Sequence, residues 1–205
     1  YFYVQRLNLG QARSDVNAWW NLAPHDISIL MYLMNGELPE SVSATGIDYL
    51  QPGIEDVVFA RLTWPNRVTA HVHVSWLDPH KVRRVTLVGS RKMVVYDDVA
   101  EHKISVLDKG FDIVPRAGDK MDYDDPPSIQ LVHRTGDIIL PRIKMEEPLK
   151  VEVAHFIDCI ENNYVPLSGA EHARDVVAVL EAGQRSLDRN KEVMGVPEFV
   201  REFAA

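Results

Sequence analysis

The 205 residues are 46% hydrophobic and 25% charged, with a net charge of −8 at pH 7. These are the proportions of a folded globular chain with one large domain or two small ones. The acidic balance and the lack of a dense Lys/Arg run exclude a nucleic-acid phosphate binder. No apolar stretch nears the roughly 20 residues of a bilayer span, so no membrane partner is expected. No signal peptide is visible. The single Cys159 provides neither an internal disulfide nor a zinc site, so a reducing, cytoplasmic setting is expected.

Residues 1–9 read as a strand with no disordered lead-in. Because the chain starts at Tyr1 inside that strand, it is expected to be the C-terminal part of something longer. Trp19-Trp20-Asn21-Leu22-Ala23-Pro24-His25-Asp26-Ile27 predicts the start of an amphipathic helix. Asn21 is the expected N-cap, and Pro24 lies in the first turn, where a missing N–H matters little. Ile27, Leu30, Met31 and Met34 form the stripe, and Asn35-Gly36 is the stop. Ser41–Leu50, Asp56–Trp64 and Arg67–Trp76 alternate as strands, the last two joined through Pro65-Asn66 as a hairpin. In the third strand Val68, Ala70, Val72, Val74 and Trp76 share one face, and Thr69, His71, His73 and Ser75 the other. A turn is expected at Asp78-Pro79. Val82–Val88 and Met93–Tyr96 predict a second hairpin around Gly89-Ser90-Arg91-Lys92, and Lys103–Leu107 a further strand. Residues 110–137 are expected to be a solvated loop, and Ile138–Ile143 a short strand.

Two helices follow. Pro148 suits a first helical position behind Glu146 and Glu147, with Leu149, Val153, Phe156, Ile157 and Ile160 as its stripe. Ser168-Gly169-Ala170-Glu171 fits a capping box before Ala173, Val176, Val177, Leu180 and Leu187. Helices of this kind need a sheet to bury against. The expected fold is α+β: one open, mostly antiparallel or mixed sheet with helices on one face, as a single domain over residues 1–205.

His25 is the leading candidate for chemistry. A histidine in a helix's first turn is biased toward the neutral form, which accepts a proton near pH 7. The competing reading is a packed structural histidine. His71 and His73 share a strand face and form a possible metal pair, but no acidic or cysteine partner completes a shell. No metal is expected. Lys81 and Arg83 are candidate contacts for an anionic or hydroxyl-rich ligand; the alternative is that they merely solvate a sheet edge. The sequence contains no Gly-x-Gly, so neither a dinucleotide-binding turn nor a P-loop is present. It also lacks a Gly-x-Ser-x-Gly elbow.

The run from Trp20 to Ser28 resembles the Gfo/Idh/MocA oxidoreductases. The resemblance continues through Gly53-Ile54-Glu55-Asp56, His73–Pro79, Val88-Gly89-Ser90, Met93–Asp98 and Glu147-Pro148-Leu149. It covers nearly the whole chain as that family's C-terminal domain, with a dihydrodipicolinate-reductase-like fold. It implies an NAD- or NADP-dependent oxidoreductase acting on a hydroxyl of a sugar, cyclitol or nucleotide-linked sugar. The cofactor would be bound mainly by an N-terminal Rossmann domain that is not in this sequence, and the open sheet face would pair subunits in a homo-oligomer. The family's Asp-x-x-x-His pair maps onto Asn21 and His25. His25 matches; Asn21 replaces the aspartate and removes the charge that would support an imidazolium. Trp20, Lys81 and Arg83 are the expected substrate contacts. The alternative is a non-catalytic or degenerate oligomerisation or ligand-binding domain.

Overall fold

The computed structural model describes residues 1–115, 129–189 and 192–196. Among these described residues nine strands form one sheet, in the order β8-β7-β6-β5-β1-β4-β3-β2-β9. The strands are β1 (Phe2–Leu9), β2 (Ser41–Ile47), β3 (Val57–Thr63), β4 (Thr69–Ser75), β5 (Leu77–Val88), β6 (Met93–Asp97), β7 (Ile104–Pro115), β8 (Ile129–Ile139) and β9 (Met194–Gly195). The helices are α1 (Ala18–Leu33), α2 (Pro148–Asn162) and α3 (Ala170–Asp188). Every pairing is antiparallel except β1 with β4. The sheet is therefore mixed, as an α+β open-sheet domain allows.

The core lies on one face of the β1–β4 half. Val4, Val42, Val58, Leu62, Val72 and Val74 are fully or almost fully buried there, one from every second position, as strand pleating demands. Trp19, Ile27 and Leu30 of α1 and Val179 and Leu180 of α3 cover them. The two helices meet where the Trp19 indole lies on Gly183. A Cβ on Gly183 would come within 2.6 Å of that ring, so only glycine fits. The Trp19 indole N–H donates to the Leu180 carbonyl at 2.8 Å, satisfying a buried donor.

Several elements depart from expectation. The first helix begins earlier: Asn17, not Asn21, is its N-cap, and the Asn17 side chain accepts from the Trp20 amide. Both asparagines suit a cap; the amide of Ala18, already tied to the Glu55 carbonyl, settles the choice. Pro24 and His25 consequently lie inside the helix, and Pro24 cannot donate to the carbonyl one turn back. The capping box does not form: Gly169 is the N-cap of α3 and makes no side-chain bond. In α3, Ala173 and Val177 are exposed, while Val176, Val179, Leu180 and Gly183 are buried. Glu147, by contrast, caps α2 as its charge suggests, accepting from the Leu149 and Lys150 amides. Asp78-Pro79 makes no turn; the chain bends at Trp76 and β5 runs on from Leu77. Strand β2 stops at Ile47.

The expected loop at 110–137 is largely strand. Phe111 pairs with His133 and Ile113 with Leu131 in a β7–β8 arm, beyond the stretch 104–107 that β6 reaches. The centre of that predicted loop, 116–128, lies outside the described residues. Residues 140–147, expected to continue a strand to Ile143, have no regular structure. Finally, α2 does not bury its stripe. Leu149, Val153, Phe156, Ile157 and Ile160 are all exposed, and α2 packs extensively on no other element among the described residues.

Candidate active site

Asn21 and His25 lie four residues apart on α1 and therefore share a helix face. That face meets the ends of β1 and β5. There Arg6, Asn8, Asn21, His25, Lys81 and Arg83 line one small hollow of about 180 Å³. The pleat explains the strand contribution. Arg6 follows Phe2 and Val4 on the covered face, and Arg83 pairs directly with Arg6 across the β1–β5 ladder. A register shift between Leu7 and Leu9 lets three successive residues, Arg6 to Asn8, reach the hollow, a usual effect of a bulge.

The scaffold under His25 is a buried ion pair. Arg6 donates through Nε and Nη2 to both oxygens of Asp26, at 2.7 and 2.9 Å, with side-chain exposures of 14% and 3%. This bidentate pair fixes α1 on β1. Burial pushes the Asp26 carboxyl upward, and Arg6 pulls it back. Arg83 is held in turn by Asp98 at 3.3 Å, whose other oxygen accepts from the Tyr96 hydroxyl at 3.1 Å.

His25 makes no side-chain hydrogen bond with any described residue. Its pKa lies below the ordinary histidine value, first because surrounding protein displaces water, then through Arg6 and more weakly Arg83; Asp26 opposes them. The residue is exposed, yet the protein on one side of it and the two nearby cations still disfavour the imidazolium. The expected direction is found, but its cause is not a helix N-terminus, because His25 lies in the helix interior.

Asn21 has a fixed orientation. The Trp76 indole donates to Asn21 Oδ1 at 3.0 Å. An indole N–H can only donate, so the amide oxygen is engaged and the NH2 end remains available. Trp20 lies apart from this site. It lines a different hollow with Asn17 and Gln184 and donates to Gln184 at 3.2 Å, because adjacent helical residues point about 100° apart. A larger hollow, about 580 Å³, adjoins the first across Asn8, Asn21 and Leu22 and is walled by the 10–15 segment and Trp76. No histidine or lysine lines it, and its one carboxylate, Asp15, is paired with Arg13 at 2.6 Å, so the smaller hollow holds the uncommitted proton acceptor. His71 and His73 lie on the uncovered sheet face. His73 stacks on Phe59 with ring centroids 4.1 Å apart, and no cluster of three or more potential ligands occurs among the described residues.

Sequence reading missed Arg6, Asn8, Asp26 and Trp76. Two of them left a signal: Arg6 interrupts the apolar face of β1, and Asp26 that of α1. Opposite charges in two otherwise apolar stripes mark a buried pair.

The fold and the hollow define an open-sheet α+β domain with a polar site at the junction of its first helix and its central strands. Residues 7–95 match the family model of the GFO/IDH/MocA C-terminal domain. That stretch, which holds the first helix and the central strands, is similar to the C-terminal domain of the Gfo/Idh/MocA oxidoreductases.

Solved structures share the fold. A UDP-N-acetylglucosamine 3-dehydrogenase from Acidithiobacillus ferrooxidans matches with a TM-score of 0.69 at 19% identity, over 92% of this chain and 55% of that one. An aldose-aldose oxidoreductase from Caulobacter crescentus, solved with glycerol, gives 0.65 at 16%, over 95% and 54%. The WlbA dehydrogenase from Bordetella pertussis, solved with NADH and UDP-GlcNAcA, gives 0.63 at 17%, over 95% and 53%. The chain thus spans about half the length of these structures. No curated protein matches it by sequence. Among the described residues no helix is long and apolar enough to cross a membrane.

Proposed function

We propose that this chain is the substrate-covering, proton-transferring part of an NAD(P)-dependent oxidoreductase acting on a hydroxyl of a sugar, cyclitol or nucleotide-linked sugar, in a cytoplasmic setting. The observation that carries this reading is the convergence of Asn21, His25, Lys81 and Arg83 on one hollow. Neutral near pH 7 and free of internal hydrogen bonds, His25 accepts the hydroxyl proton as the carbinol carbon is oxidised, and returns it in the reverse direction. Lys81 and Arg83 orient the substrate, and Asn21 donates to one of its oxygens.

The dinucleotide itself does not fit these residues. A pyrophosphate is usually cradled by a glycine-rich turn between strand and helix, whereas the β1–α1 connection holds Gly10 alone. NAD or NADP would be held by residues outside this chain and would supply the hydride acceptor; the proton is this chain's share.

The test is turnover of the full-length protein with NAD(P) on a panel of sugars. His25→Ala is expected to lower kcat by about 10²–10⁴-fold, the usual range for a general base. Wild-type turnover in that variant would overturn the assignment.

A second reading is a ligand-binding or assembly domain without catalysis. It is favoured by Asn21 standing where the family aspartate stands, with its oxygen committed to Trp76. The open sheet face, where Tyr3, Phe59 and His71 are exposed, would then pair copies of the chain. Light scattering separates the two: a strictly monomeric protein counts against assembly, and a catalytically silent oligomer counts for it.

A further inference from the structure

The small hollow presents donors and cations and no anion. None of its lining residues is Asp or Glu. The two nearby carboxylates are engaged elsewhere, Asp26 with Arg6 and Asp98 with Arg83. Lys81 is exposed and forms neither a hydrogen bond nor an ion pair with any described residue. The Trp76 bond to Asn21 Oδ1 leaves the amide's two N–H groups as what Asn21 offers. Arg6 and Arg83 stand directly opposite each other in the β1–β5 register, a like-charge placement that opposes pairing and is tolerated here because each has its own carboxylate. This cationic spot occurs in a chain of net charge −8, which makes it the place where an anion would be focused.

We propose that this hollow is an anion subsite that takes an anionic oxygen group, a carboxylate or a phosphate, carried by the sugar-like substrate. Lys81 is its uncommitted cation, Arg83 is held in position by Asp98, and Asn21 donates from Nδ2. A volume of about 180 Å³ equals the liquid share of about six waters, enough for such a group and part of a ring. The Asn21 departure from the family aspartate acquires a physical meaning: an aspartate would also accept from Trp76 but would place a second, negative oxygen on the donor wall. The inference rests on the hollow being the substrate site.

Isothermal titration calorimetry on the full-length protein with D-glucuronate, D-glucose 6-phosphate and D-glucose tests it. At least one anionic sugar is expected to bind tenfold or more tighter than glucose, with the preference falling as salt rises; the arm that binds names the group. Lys81→Ala is expected to reduce that preference by tenfold or more. Asn21→Asp, which preserves an acceptor for Trp76, is expected to do the same, whereas a purely structural Asn21 would leave the preference unchanged. Equal affinities, no binding of any of the three, or an unaltered preference in both variants overturns the proposal. NAD(P)-dependent turnover of neutral sugars without anion preference would overturn the subsite and keep the dehydrogenase reading. Anion-selective binding without turnover would do the reverse.

Discussion

Helices α1 and α2 both carry apolar stripes, yet one is sealed and the other is bare. Ile27 and Leu30 of α1 are 0% exposed, whereas Phe156 and Ile160 of α2 are 60% and 66% exposed. The same division runs through the sheet: β1–β4 lie under α1 and α3, while the β7–β8 arm shows Phe111 and Ile113 at 62% and 69% exposure. Amphipathic pattern states which face seeks cover, not whether cover arrives. The candidate site sits on the sealed side, where helix and strands are locked together and side chains can be held in place.

The largest test of this contrast is Trp19→Ala against Phe156→Ala. Trp19 is fully buried, so its loss is expected to cost about 3–5 kcal/mol. Phe156→Ala is expected to stay within about 0.5 kcal/mol, as at exposed positions generally. Chemical denaturation of both variants measures the difference, and equal losses would erase the division between the two regions.

Asp26→Ala comes next. It strands Arg6 beside the core, and breaking a buried pair costs about 3–5 kcal/mol, toward the lower end here because Arg6 keeps some solvent contact. Because Asp26 holds the His25 pKa up, the variant should also titrate His25 at lower pH, which NMR reads directly. Gly183→Ala is expected to cost about 1–3 kcal/mol through overpacking against the Trp19 ring; a neutral result would mean that α1 and α3 shift apart easily.

The smallest effect belongs to the uncovered half. Burial works against Asp97 ionisation, but Arg84 and the Val99 amide outweigh it and hold the carboxyl below its ordinary value. Its native pKa is depressed, so its contribution is present above about pH 4 and is lost as pH falls through the lower native value. Asp97→Asn is expected to cost under about 1 kcal/mol, as partly exposed pairs do, with the loss shrinking in high salt. His25 follows the same sign in another window: its depressed pKa favours the fold above about pH 6.5, a contribution lost as pH falls through its native value.

Much of the fold could be read from pattern. The Asp56–Trp64 and Arg67–Trp76 alternation gives β3 and β4, and the Pro65-Asn66 turn gives their hairpin. The β7–β8 arm was illegible because Gly110, Asp112 and Gly136 are poor strand formers. Cross-strand pairing such as Arg134 with Asp112 and Asp108 supplies what propensity withholds. In the site, His25 and Asn21 were legible through helical spacing, and Lys81 and Arg83 through their charge. Their meeting with Arg6 and Asn8 was not, because it depends on β1 lying between β4 and β5, a placement across some 70 residues.

The sequence by itself determined the three helices and the types and faces of the central strands, the lack of a dinucleotide turn and the histidine worth attention. These depend on local periodicity and side-chain chemistry, which act within a few residues. Tertiary structure alone decided where the first helix starts, which stripes are buried, which way the Asn21 amide points and which cations gather around His25. Those outcomes depend on contacts between distant segments, such as Trp76 with Asn21 and Arg6 with Asp26, and only the folded chain brings those groups within hydrogen-bonding reach.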